Sequence, residues 1–145
     1  MESNVDRKLN ETILLVDDEE MVRHVCAMML ERLGYNVVSG RNGAEAFGIF
    51  KENPDTFDVV LTDIQMPEMS GTELARNIRS FGSDIPIILI TGFGLDVPSE
   101  FMSSINISEL VMKPIDMHVM AKIVRQALNS RSENRQERSA QVGGR

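Results

Sequence analysis

Four apolar runs in this chain end on residues suited to handling a phosphoryl group. Ile13-Leu14-Leu15-Val16 runs into Asp17-Asp18, Val59-Val60-Leu61-Thr62 into Asp63, Ile87-Ile88-Leu89-Ile90 into Thr91, and Leu110-Val111-Met112 into Lys113-Pro114. Taken singly, each ending has an ordinary explanation. Acidic pairs after a strand often cap helices, a threonine at a strand end is simply β-branched, and a lysine is usually a surface residue. As parallel strands, however, the four runs would bring all these endings to one edge, where open α/β sheets place their ligand sites. Three carboxylates at short range must raise their pKa values or recruit a cation. A hard divalent ion fits, and Mg²⁺ fits best, because it accepts a few carboxylates and keeps further positions for water and phosphate oxygens.

Positioning these groups requires strands that alternate with helices, and the hydrophobic pattern supplies them. Apolar runs rich in β-branched residues alternate five times with segments of helical period, the pattern of a parallel sheet covered on both faces. The first strand spans roughly 12 to 16; its helix, roughly 19 to 33, carries Val22, Val25, Cys26, Met29, Leu30 and Leu33 at helical spacing and stops at Gly34. A strand near 36 to 39 precedes a weaker helix at about 43 to 52, and strand 57 to 62 precedes a helix that follows Gly71 and uses Leu74, Ala75 and Ile78. Strand 85 to 90 leads to a short helix near 97 to 104 with thin apolar content. Strand 108 to 112 precedes a last helix at 116 to 129, with Met117, Met120, Ala121, Val124 and Leu128 as its core stripe and Val119 and Ile123 off it. Residues 1–10 form a flexible N-terminal segment, and the polar stretch 130–145 reads as a disordered tail.

Composition narrows the function further. With 145 residues, 42% hydrophobic and 26% charged, the chain has material for one soluble globular domain. No apolar run approaches the about 20 residues of a membrane helix, and MESNVDRKLN has no apolar signal region, so a cytoplasmic protein without membrane contact is expected. A net charge of -7 argues against direct nucleic-acid binding. The single cysteine, Cys26, excludes an internal disulfide and reads as core filling, as do the ten methionines. His24 and His118 lack metal-ligand partners at suitable spacing and read as surface residues.

With these residues in hand, the chain from 11 to 129 resembles the receiver domain of two-component response regulators. ILLVDDE is similar to that family's first strand and acidic pair, LTDIQMPEMSG to its phosphoacceptor motif, LITG to its switch threonine and VMKP to its lysine-proline ending. The resemblance implies a flavodoxin-like (βα)5 three-layer sandwich with a parallel sheet of order 2-1-3-4-5. It implies Asp63 as phosphoacceptor and a Mg²⁺ site of Asp18, Asp63 and the Gln65 backbone carbonyl, supported by Asp17. It also implies phosphate contacts from Thr91 and Lys113, and a cis peptide bond before Pro114. The expected partner is a histidine kinase or histidine phosphotransfer protein. The receiver would catalyse its own phosphotransfer and dephosphorylation rather than act as an enzyme on a metabolite, and would signal through protein contacts to an unidentified target. A homodimer through the helix 4, strand 5 and helix 5 face is a further expectation.

The match is incomplete at one coupling position. Receivers usually carry Tyr or Phe three residues before the lysine, where this chain has Leu110, so coupling to the outer face is expected to run through aliphatic repacking. Phe93, two residues past Thr91, has two readings, as a shield of an acyl phosphate from water or as a loop side chain that merely packs. Three alternatives stay open. A phosphohydrolase with an aspartyl-phosphate intermediate would usually carry a second Asp two residues after the nucleophile, where Gln65 stands. A flavodoxin-like cofactor binder would need a phosphate-cradling loop where Asp17, Asp18, Glu19 and Glu20 stand. A receiver-like docking module that is never phosphorylated is kept alive by Leu110. The chain suits either a free-standing regulator or the receiver of a larger protein such as a hybrid kinase.

Overall fold

A computed structural model describes residues 11–92 and 97–143, with side chains described as far as Arg131. The order is β1 (Thr12–Val16), α1 (Glu20–Arg32), β2 (Asn36–Gly40), α2 (Gly43–Glu52), a 3-10 turn (Pro54–Thr56), β3 (Val59–Asp63), α3 (Gly71–Phe81), β4 (Ile87–Thr91), α4 (Ser99–Ser104), β5 (Glu109–Met112) and α5 (Met117–Gly143). The sheet is parallel with order β2-β1-β3-β4-β5, as the resemblance implies.

β1, β3 and β4 are buried at every position because helices cover both faces. Alternate side chains of each strand therefore feed two cores. Ile13, Leu15, Val59, Leu61, Ile88 and Ile90 pack with Leu30 of α1 and Met120 and Val124 of α5. Leu14, Val16, Val60, Ile87 and Leu89 pack with Phe50 of α2 and Leu74 and Ile78 of α3. The register pairs Val16 with Gly40 and Thr62, Asp63 with Ile90, and Thr91 with Met112. Strand ends so aligned bring Asp17, Asp63, Thr91 and Lys113 to one edge of the sheet.

Local signals fix where the helices begin. The Asn42 side chain accepts a hydrogen bond from the Glu45 amide at 2.7 Å and caps α2. Ser70 and Glu73 form a capping box at the start of α3. Gly71 is needed there: its amide donates to the Ile64 carbonyl at 2.8 Å, and a Cβ would overlap the Asp63 carbonyl.

The last helix corrects two expectations. Its backbone runs to Gly143, where the sequence reading ends it near 129 and makes 130–145 a disordered tail. The segment 130 to 142 is polar, but it contains no Pro or Gly and is rich in Arg, Glu, Gln and Ser, so polarity there is compatible with a solvated helix. Ile123 is buried, whereas Val119 is exposed. The stripe is Met120, Ile123, Val124, Ala127 and Leu128, one helical face shifted slightly from the expected one. On α1, Val25 is 47% exposed rather than part of the core.

Candidate functional site

The acidic pair sits where β1 gives way to α1. Asp17 is buried and Asp18 exposed. The Asp17 carboxylate accepts a hydrogen bond from the Glu19 amide at 2.9 Å, which holds it against the sheet edge. Asp63, the last residue of β3, is 4% exposed. One carboxylate oxygen from each of Asp17, Asp18 and Asp63 lies within 4.8 Å of the others. Three hard oxygen donors of this kind could hold a divalent ion, and their chemistry fits Mg²⁺. Mixed exposure suits that ion too, since the buried carboxylates would hold it and the exposed side would leave room for water and phosphate oxygens.

Lys113 reaches back from the end of β5 over this group. Its ammonium donates to Asp63 Oδ2 at 3.1 Å and lies 3.7 Å from Asp17 Oδ2. Burial pushes the Lys113 pKa down, but the hydrogen bond to Asp63 and the neighbouring charges of Asp63, Asp17 and Glu19 outweigh it, and the net shift is upward. Burial likewise raises the Asp17 carboxyl above its ordinary 3.8; the Glu19 amide and Lys113 oppose the rise, while Asp63 and Asp18 add to it. The Lys113 ammonium thus lies against two of the three carboxylates. The Lys113-Pro114 peptide bond is cis, as expected. Thr91 is buried, and its hydroxyl donates to the Gly92 carbonyl at 3.1 Å, close to the same edge.

Side chains that can accept a phosphoryl group, hold a cation and contact phosphate oxygens therefore share one edge of a five-stranded parallel sheet. A family model for the response regulator receiver domain matches residues 13–125. The chain belongs to this family. It is 44% identical over 81 residues to the response regulator receiver protein CpdR of Brucella abortus, covering 56% of this chain and 66% of that protein. It is 40% identical over 119 residues to the transcriptional regulatory protein FixJ of Rhizobium meliloti, covering 80% of this chain and 56% of that protein. The chain thus spans less than two thirds of the length of these curated relatives. Among solved structures, a receiver domain protein from Clostridium thermocellum superposes with a TM-score of 0.77 at 28% identity, over 84% of this chain and 97% of that one.

The remaining positions of the receiver are placed as follows. Gln65 is exposed in the loop after Asp63; a Cβ on Gly92 would come 3.6 Å from its side-chain oxygen, so the two loops lie side by side. Leu110 is partly buried and packs with Val97, Ile105 and Ile107 against the core under α2 and α3. Its aliphatic surroundings match the aliphatic side chain. Phe93 lies outside the described residues. No described helix is long and apolar enough to cross a membrane.

One feature beside the site is absent from the sequence reading. A cleft of about 340 Å³ opens between α1 and the loop after β5, lined by Met21, Val22, Val25, Met29, Pro114 and Ile115 together with Asp17 and Lys113. Met21, Val25 and Met28 leave 78%, 47% and 49% of their surface exposed, an apolar stripe on α1 whose first two members line the cleft. Their spacing of i, i+4 and i+7 was visible in sequence, but helical period alone does not say which of two apolar faces meets the sheet.

Proposed function

We propose that this receiver is a phosphorylation switch that takes a phosphoryl group from a phosphohistidine protein onto Asp63 in a Mg²⁺-dependent reaction and signals through protein contacts. The observation that carries the reading is the convergence of Asp17, Asp18, Asp63 and Lys113 at one sheet edge. In this reading a carboxylate oxygen of Asp63 attacks phosphorus, the bond from phosphorus to the imidazole nitrogen breaks, and an acyl phosphate remains. Asp17, Asp18, Asp63 and the Gln65 carbonyl would hold Mg²⁺, which when bound supplies positive charge to the phosphoryl oxygens. Lys113 exchanges its bond to Asp63 for one to a phosphoryl oxygen. Thr91 exchanges its bond to Gly92 for another. Water later cleaves the acyl phosphate and resets the switch.

The test is incubation with acetyl phosphate, with and without Mg²⁺, followed by intact-mass measurement of the wild type and Asp63→Asn. A single Mg²⁺-dependent phosphoryl adduct, lost in the variant, is expected. An adduct that persists in Asp63→Asn contradicts the reading. Absence of an adduct with acetyl phosphate and with a phosphorylated histidine phosphotransfer protein, despite Mg²⁺ binding, would favour the docking module.

A further inference from the structure

α4 is weakly anchored in the fold. Its six residues, Ser99–Ser104, include no buried side chain, and Val97, Ile105 and Ile107 beside it are only partly buried. What reaches it instead is a pair of arginines on α3. The Arg79 Nε donates to the Ile105 carbonyl at 2.6 Å and an Nη donates to the Asn106 carbonyl at 3.0 Å. The other Nη donates to the carbonyls of Ser83 at 3.1 Å and Ile85 at 2.7 Å. The Arg76 guanidinium lies 5.2 Å from the centre of the Phe101 ring.

The Arg79 contacts to Ile105 and Asn106 fall at one end of α4. Ile105 is its C-cap, and Asn106 follows in a left-handed conformation with φ 55 that reverses the chain toward β5. Carbonyls at the end of a helix lack intrahelical partners and carry its negative pole, so a guanidinium there satisfies both geometry and charge. The opposite pair of carbonyls, from Ser83 and Ile85, lies just before β4. We infer that Arg79 is a positioning residue that holds α4 by its C-terminal end, making α4 a flap hinged at Ile105 and Asn106 rather than a helix seated by its own core contacts. A planar five-donor fork can bridge the two loops; the single ammonium of a lysine cannot.

This hinge exists without phosphorylation, so its test is independent of the proposed function. Amide hydrogen exchange would be followed residue by residue in the unphosphorylated full chain, for the wild type, Arg79→Lys and Arg79→Met. Both variants are expected to speed exchange at Phe101, Met102, Ile105 and Ile107 by about tenfold or more, with Leu14 and Leu61 in the central strands unchanged. Unchanged exchange from 99 to 107 would overturn the inference, because apolar contacts alone would then seat α4. Equal acceleration in the central strands would overturn it too, making Arg79 a determinant of global stability. The wild type gives a check that survives if the variants do not fold: Met102 should exchange faster than Ile107, and the reverse order contradicts a hinge at the C-terminal end.

Discussion

The two ends of the sheet are built on opposite electrostatic terms. At the amino ends of the strands, three arginines tie every strand entrance to a neighbour. Arg125 pairs with Glu11 before β1 at 2.9 Å and donates to the Tyr35 hydroxyl before β2 at 3.0 Å. Arg131 donates to the carbonyls of Phe57 and Asp58 before β3, and Arg79 spans the entrances of β4 and β5. At the carboxyl ends, three carboxylates gather and a single ammonium faces them. One edge is arranged so that charged groups satisfy backbone carbonyls and side-chain acceptors. The other concentrates like charge that an incoming cation can relieve. On the proposed function, arginine ties gather at one edge and phosphoryl chemistry at the other, so each can be disturbed with limited effect on the other.

The largest separation is expected for Lys113. Lys113→Met removes the cation over Asp63, and phosphoryl uptake from acetyl phosphate should slow by about 100-fold, measured by adduct formation over time. A near-normal rate would mean that the reactive edge does not depend on its ammonium.

At the opposite edge, Arg125→Met should destabilise the fold by about 1.5 kcal/mol, allowing for solvent screening of a guanidinium that is 43% exposed. Urea denaturation would read the loss, and uptake of phosphate at saturating Mg²⁺ should stay within about twofold of wild type. Loss of uptake in a folded Arg125→Met would break the proposed division between edges.

Asp17→Asn should move stability the other way. Asn keeps an oxygen to accept from the Glu19 amide but removes a buried charge beside Asp63, so the metal-free protein should gain about 1 kcal/mol while losing Mg²⁺ affinity. The sign with pH follows from the raised Asp17 pKa. A carboxyl whose folded pKa lies above its ordinary 3.8 costs stability as pH rises from that value through the folded one. The gain from Asn should therefore vanish well below pH 3.8 and grow to its full size above the folded pKa. A gain independent of pH would show that Asp17 charge is not the cause.

The reactive edge was largely legible in sequence because its residues follow directly on four apolar runs, each readable over a few positions. Family resemblance added the sheet order and the cis bond before Pro114, which local patterns alone do not specify. The stapled edge was not legible: Arg125 and Glu11 are 114 residues apart and Arg79 and Ile105 are 26 apart, and no local signal pairs an arginine with a distant carbonyl. Val25 and Ile123 were misassigned between core and surface because two apolar stripes compete on one helix, and only packing against the sheet decides between them. The end of α5 was missed because a polar segment rich in Arg, Glu and Gln satisfies the composition of a disordered tail and of a solvated helix equally well.

The most direct test of the account is to locate the phosphoryl group itself. The protein would be treated with acetyl phosphate and Mg²⁺, trapped by borohydride, which reduces an acyl phosphate to an alcohol, and mapped by peptide mass spectrometry. Reduction confined to Asp63 and dependent on Mg²⁺ is the predicted result; reduction at Asp17 or Asp18, or at Asp63 without Mg²⁺, would contradict it.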